Sequence, residues 1–326
     1  MARAFRQTLK KMMTVLDRKL LVITGKGGTG KTTVAAALGV LAASRGLETI
    51  VVEVGDQGRL PSLFAATPAN PGEETRLSDR LWTISIDPDQ ALLEWLQALG
   101  GRVPGRLLAS SGTFQYFAAA APGAKEMVSM VKIWELTDRR AKRSREFDLV
   151  ILDAPATGNA LGMLRSPGTF GAIARVGPIR GQAERVQALL KDEELTAYLA
   201  VAQGTEMAIS ETLELARALE DQLGRHLEGV IANALLPRRF SAAELEELSR
   251  MDEDSAQGKR AEADARVIHA AATAARSIHE RARQQHNLLA RLRREGLEVV
   301  NVPFAFTAGL DEQAIRHIAD HLGRTL

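Results

Sequence analysis

The sequence predicts an α/β protein, a doubly wound and mostly parallel sheet of about seven or eight strands with a helical subdomain. Three observations predict it. Short runs rich in Val, Ile and Leu alternate with helical segments along the chain. Most of these runs are apolar throughout, as strands buried on both faces are. A glycine-rich loop joins the first run to an alanine-rich stretch, Val34 to Ala43, that reads as a buried helix.

The expected strands are Leu20–Thr24, Thr49–Glu53, Leu81–Ile86, Leu149–Asp153, Ala197–Ala202, Gly229–Asn233 and Val299–Val302. Two stretches depart from the alternation. Residues 88–137 read as a helical insertion, with Leu92, Trp95, Leu96 and Leu99 on one face and Met127, Val128, Met130, Val131 and Trp134 on another. Phe114, Tyr116 and Phe117 lie between them. Stripes of this kind read as core packing, with a client groove or dimer surface as the alternative. Residues 241–294 read as a charged helical arm. Ser241 and Glu244 form a capping box for a first helix that ends in the polar run 252–255. A second helix, from about Ala261 to Arg294, carries a thin apolar stripe of Val267, Ile268, Ala271, Ala275, Ile278 and Ala282. Neither a repeat nor a Pro- or Gly/Ser-rich linker divides the chain, so 20–326 reads as one domain.

Charge is unevenly placed. Residues 1–19 hold six basic groups (Arg3, Arg6, Lys10, Lys11, Arg18 and Lys19) against Asp17 alone. The remainder holds 36 basic and 39 acidic residues, so its mild acidity gives no general attraction to nucleic acid, and no nucleic-acid partner is expected. Phe5, Leu9, Met12, Met13 and Leu16 recur at helical spacing, making 1–19 a basic amphipathic extension. It lacks the apolar centre of a secretory signal. Packing on the surface is its plainest reading, with membrane contact or an organelle presequence as alternatives. The chain has no cysteine. Disulfides, thiolate zinc sites and iron–sulfur clusters are therefore excluded, and a reducing cytoplasm is the expected location.

The loop reads Gly25-Lys26-Gly27-Gly28-Thr29-Gly30-Lys31-Thr32-Thr33. Gly25, Gly30, Lys31 and Thr32 satisfy the phosphate-loop pattern, and the strand before and helix after supply the context that pattern needs. Glycines let successive N–H groups turn inward on anionic oxygens, and the helix N-terminus adds positive potential. Lys31 is placed to reach the β- and γ-phosphates, and the Thr32 hydroxyl to ligate Mg²⁺. A second motif lies about 120 residues on, where an apolar strand ends in Asp153 and Ala154-Pro155-Ala156-Thr157-Gly158-Asn159-Ala160-Leu161 follows. An Asp at that strand end orders the water shell of a bound Mg²⁺.

Together these motifs resemble the ArsA-like ATPases, the family of arsenical-pump and tail-anchored-protein-targeting ATPases with a deviant phosphate loop. Family members carry Gly-Lys-Gly-Gly-Val-Gly-Lys-Thr-Thr at the loop and Asp-Thr-Ala-Pro-Thr-Gly-His-Thr-Leu at the second switch. Ala121-Pro122-Gly123-Ala124-Lys125-Glu126 and Val176-Gly177-Pro178-Ile179 look most like the actinobacterial-type anion-transporting branch. The likeness runs from Leu20 onward and is weakest over 250–294.

The resemblance implies ATP and Mg²⁺ as ligands and a homodimer, or a heterodimer with a sister ATPase, in which Lys26 crosses to the partner's nucleotide. It places Asn233 at the adenine edge and Pro303 and Phe304 behind the base, with Asp153, Thr157, Gly158 and Asn159 in the second switch. The family's first switch carries an Asp that orients water. Here the segment reads Glu53-Val54-Gly55-Asp56-Gln57-Gly58-Arg59-Leu60. Gly55 falls at the family's Asp, so Asp56 is the expected catalytic carboxylate and Glu53 the alternative.

Without cysteine, neither metalloid capture by thiolates nor a Cys-x-x-Cys zinc clamp can operate. His317 and His321 stand four apart on the last helix and read as surface residues rather than metal ligands. The expected function is a dimeric Mg-ATPase that opens and closes a surface for a protein or membrane client, cytoplasmic with membrane contact at most peripheral. One alternative is a weakly hydrolysing scaffold in a hetero-oligomer. Another is a ParA/MinD-type positioning ATPase, against which the acidic residues Asp311, Glu312 and Asp320 of the last helix argue.

Overall fold

The computed structural model describes residues 14–55, 58–100, 123–138, 145–173, 178–257, 262–307 and 309–325. Its centre is an eight-stranded sheet in the order β3-β4-β2-β5-β1-β6-β7-β8. The strands are β1 (Leu20–Thr24), β2 (Thr49–Val54), β3 (Thr75–Ser78), β4 (Leu81–Ile86), β5 (Leu149–Asp153), β6 (Thr196–Ala202), β7 (Gly229–Leu235) and β8 (Val299–Pro303). All pairs are parallel except β3 with β4. The seven expected strands are all present. The eighth, β3, is a partly exposed polar edge strand (Thr-Arg-Leu-Ser) without an apolar signature.

Strand side chains alternate between two cores. Leu20, Val22, Ile50 and Val52 face one core. It is completed by helices α3 (Pro88–Gly100), α4 (Ala124–Thr137), α5 (Thr157–Ile173), α6 (Pro178–Lys191) and α7 (Glu206–Leu223). Leu21, Ile23 and Val51 face the other, against α1 (Lys31–Ser44) and the C-terminal helix α10 (Glu312–Thr325). The short α2 (Arg59–Leu63) contributes Leu60 to this second core.

Trp95, Met127, Val128, Met130 and Val131 are buried in the first core, so the stripes of α3 and α4 are packing surfaces. The Trp95 indole N–H donates to Gln182 Oε1 at 2.7 Å, tying α3 to α6. Phe114, Tyr116 and Phe117 lie outside the described residues. Before β1, Thr14–Asp17 forms a 3-10 turn whose Val15 and Leu16 are buried in the second core, so the region next to β1 is built into the domain. Residues 1–13 lie outside the described residues.

The arm comprises α8 (Ala242–Ala256) and the 33-residue α9 (Glu262–Arg294). Ser241 and Glu244 make the capping box, and α8 ends with the polar run 252–255 and Ala256, as expected. The buried face of α9 is Ala272, Ala275, Ala282, Leu289 and Leu292, whereas Val267 and Ala271 are exposed. The expected stripe is thus partly displaced, because neighbouring alanines leave a helix's apolar face weakly defined. Gln285 Oε1 of α9 accepts the Leu236 N–H at 2.9 Å, and Arg276 pairs with Asp252 of α8 at 3.1 Å. No helix among the described residues is long and apolar enough to cross a membrane.

Candidate functional site

The C-terminal ends of β1, β2 and β5 meet where connections leave for opposite directions along the sheet, the place where open α/β sheets bind ligands. The loop between β1 and α1 lies there. Gly25, Gly28 and Gly30 all have positive φ, at 142°, 82° and 90°. A Cβ on Gly25 would come within 2.3 Å of the Val201 carbonyl oxygen, so the close approach of the loop to β6 requires glycine. A Cβ on Gly30 would lie 2.3 Å from Asn233 Nδ2. Gly30 offers no side-chain cap to α1, which leaves first-turn N–H groups open to an anion.

A cavity of about 770 Å³ opens in front of this loop. Gly27, Gly28, Gly30, Lys31, Thr32 and Thr33 line it from the loop and α1. Glu53, Arg59, Asp153 and Asn159 line it from the strand ends and switch segments. The Lys31 ammonium donates to the Lys26 carbonyl at 3.1 Å, and burial pushes its pKa down, Asp153 opposing and Arg59 reinforcing. The Thr32 hydroxyl donates to Asp153 Oδ2 at 2.5 Å. Burial raises the Asp153 pKa, while the Thr32 hydrogen bond, Lys31 and Arg59 act the other way.

Asp153 Oδ1 is buried without a hydrogen-bond partner. A buried orphan acceptor beside a threonine hydroxyl suits a hard, hydrated divalent cation, which takes oxygen ligands and keeps much of its water. The donor set therefore fits Mg²⁺. Among the described residues no cluster of three or more His, Asp or Glu forms an all-protein metal cage. His317 and His321 line a separate cavity, and His321 Nε2 lies 2.8 Å from the Asn301 carbonyl oxygen.

The second switch follows Asp153 directly. The Ala154 N–H donates to Ile23 O at 2.9 Å and the Thr157 N–H to Gly25 O at 3.2 Å, so the start of α5 is tied to the phosphate loop. Asn159 lines the cavity, whereas Thr157 and Gly158 do not. Asn233, buried at the end of β7, donates from Nδ2 to the Thr29 carbonyl at 2.9 Å and holds the loop from behind. Pro303 and the half-exposed Phe304 line a second cavity of about 630 Å³. The two cavities adjoin along one segment, since Leu310 lines the first while Gly309 and Asp311 line the second.

Of the two candidate carboxylates, Asp56 lies outside the described residues. Glu53 is only 3% exposed. Its oxygens accept the N–H groups of Arg59 (3.2 Å) and Leu60 (3.3 Å), and burial raises its pKa against those two bonds. Glu53 thus serves as the N-terminal acceptor of α2.

Three residues not singled out in the sequence join the site. Glu211 of α7 forms an ion pair with Lys26. Gln203 Nε2 donates to the Gly28 carbonyl at 3.4 Å. Arg59 lines the main cavity. Glu211 and Gln203 carry no local signal, being brought to the loop by tertiary packing. Arg59 stood in a switch segment that departs from the familiar pattern.

Residues 18–180 match the family model described as anion-transporting ATPase. The chain is 29% identical over 246 residues to ATPase BagA of Mycobacterium tuberculosis, covering 73% of this chain and 71% of that protein. It is 23% identical over 265 residues to ATPase get3 of Schizosaccharomyces japonicus, covering 70% of this chain and 78% of the relative. With ATPase ARSA1 of Chlamydomonas reinhardtii the identity is 24% over 274 residues, 68% of this chain and 35% of the relative. With a phosphate loop, a strand-end Asp bonded to its threonine and this kinship together, the chain belongs to the anion-transporting, ArsA-like ATPase family and is an ATPase.

Proposed function

We propose that this ATPase is Mg²⁺-dependent, works as a dimer, and couples nucleotide-driven opening and closing to a protein or membrane client rather than to thiol-based metalloid transport. The observation that carries the reading is the contact between Thr32 and Asp153 at the floor of the loop cavity. It joins the expected metal-binding hydroxyl to the strand end that leads into the second switch.

In this reading the loop N–H groups and Lys31 hold the β- and γ-phosphates, with Asn233, Pro303 and Phe304 serving the base. Mg²⁺, held through Thr32 and by Asp153 through water, would neutralise phosphate charge. Asp56 orients the attacking water, while Glu53 anchors the start of α2 by accepting the Arg59 and Leu60 N–H groups. Lys26 leaves Glu211 and reaches the partner's nucleotide, adding positive charge where the transferring phosphoryl group becomes more anionic. Loss of the γ-phosphate releases Asp153 and, through the Thr157–Gly25 link, the start of α5. The place of action is the cytoplasm, with the basic segment 1–19 as the candidate for peripheral membrane contact.

One observation favours a second reading, a nucleotide-gated scaffold beside a sister ATPase. Gly55, at φ 100°, stands where the family carries its water-orienting Asp. Single-turnover hydrolysis of ATP by the full chain separates the two. The motor reading expects Mg²⁺-dependent turnover that Lys31→Ala abolishes and Asp56→Asn slows by about 100-fold or more. ATP bound but unhydrolysed over hours would instead support the scaffold.

A further inference from the structure

Arg59 is the first residue of α2, an exposed residue whose backbone is anchored on the buried sheet. Its N–H is held by Glu53 Oε1. Glu53 pairs in strand register with Asp153, so one row across β2 and β5 carries both the anchor of Arg59 and the strand-end carboxylate of the site. From that anchor the side chain lines the same cavity as Gly27, Lys31, Thr32 and Asp153.

Electrostatics supports the placement. The Arg59 charge is felt by Lys31, Glu53 and Asp153, favouring the ionised carboxylates and disfavouring the second ammonium. Two cations that oppose one another across one polar cavity are relieved by a multiply charged anion between them. Guanidinium is suited to this, because its planar fork donates two parallel hydrogen bonds to phosphate oxygens. The groups that sense Arg59 also mark which end of the ligand it serves. Lys31 and Asp153 belong to the β- and γ-phosphate end, whereas Phe304 lines the neighbouring cavity.

We infer that Arg59 is a second phosphate-binding cation of this site, positioned by Glu53, that contacts the terminal phosphate and so separates ATP from ADP. The inference rests on the nucleotide-binding reading above, and its test distinguishes the two. Dissociation constants are measured on the full chain by fluorescence titration, using labelled ADP and a labelled non-hydrolysable ATP analogue with Mg²⁺. Wild type, Arg59→Ala and Arg59→Lys are compared, with thermal melting as a check on folding. Arg59→Ala is expected to weaken the ATP analogue about tenfold or more, with ADP changed less than about twofold. Arg59→Lys keeps the charge without the fork, folds with the same backbone anchor, and falls between the two. Equal losses for ATP analogue and ADP, or unchanged affinity for the analogue, would overturn the inference while leaving nucleotide binding intact. A wild-type chain that binds neither nucleotide would overturn both readings.

Discussion

The Thr32 hydroxyl donates to Asp153 Oδ2 at 2.5 Å, joining the first turn of α1 to the end of β5 across 121 residues of sequence. The bond fixes the Thr32 hydroxyl beside Asp153, with its oxygen lone pairs left to ligate a cation while its O–H still donates to the carboxylate. Asp153→Asn and Thr32→Ala are therefore expected to lower nucleotide affinity by about 10- to 100-fold in Mg²⁺. In excess EDTA the three proteins should bind nucleotide nearly alike. Titration with and without the metal checks this.

The same burial makes stability depend on pH. Asp153 has its folded pKa raised above the ordinary 3.8, and Glu53 is likewise raised above 4.5. For such groups the folded chain holds more protons than the unfolded one between the two values. Their contribution is full below the ordinary value and is lost as pH rises through the raised one. Ligand-free melting temperature should fall as pH climbs across that window, and Asp153→Asn should flatten the fall. Differential scanning calorimetry across the window measures both.

Stability away from the site depends on a buried ion pair. Arg225, 2% exposed, bonds Glu228 Oε1 at 3.0 Å and the Thr196 carbonyl at 2.8 Å, while the Tyr198 N–H donates to Glu228 Oε2 at 2.5 Å. Arg225→Ala would leave the mostly buried Glu228 carboxylate without its cation beneath β6. A loss of about 3–5 kcal/mol is expected. Urea unfolding reports it, with the secondary structure of the folded state unchanged.

Gly30→Ala tests the loop geometry. A residue with a Cβ at φ 90° costs about 1–2 kcal/mol, and here the new atom also strikes Asn233 Nδ2. The Asn233–Thr29 bond breaks as a result. Asn233→Ala removes the obstacle, so the double variant should be less destabilised than the sum of the single ones. Urea melts of the four proteins complete the cycle.

Much of this architecture was legible in the sequence because buried parallel strands are apolar throughout. Leu20–Thr24 and Leu149–Asp153 stand out on that ground, and the glycine loop and Asp153 followed from the strands that carry them. The Ser241–Glu244 capping box was equally plain, since both partners lie within four residues. What escaped was tertiary or weakly patterned. The polar edge strand Thr75–Ser78 has no apolar run to betray it. The buried face of α9 was partly misplaced among alanines, where Ala271 and Ala272 differ in burial and not in chemistry. Glu211 meets Lys26 from 185 residues away, a pairing that no local pattern encodes.

That pairing bears on the dimer. Within one chain Lys26 is neutralised by Glu211, and in the proposed mechanism it must exchange that carboxylate for the partner's nucleotide. The most direct measurement is mass by light scattering of the full 35.3 kDa chain, ligand-free and with Mg²⁺ and a non-hydrolysable ATP analogue. Wild type is predicted to double its mass with nucleotide, and Lys26→Ala to remain a single chain. A wild-type protein that keeps single-chain mass in every nucleotide state would contradict the homodimer and direct the search to a sister ATPase.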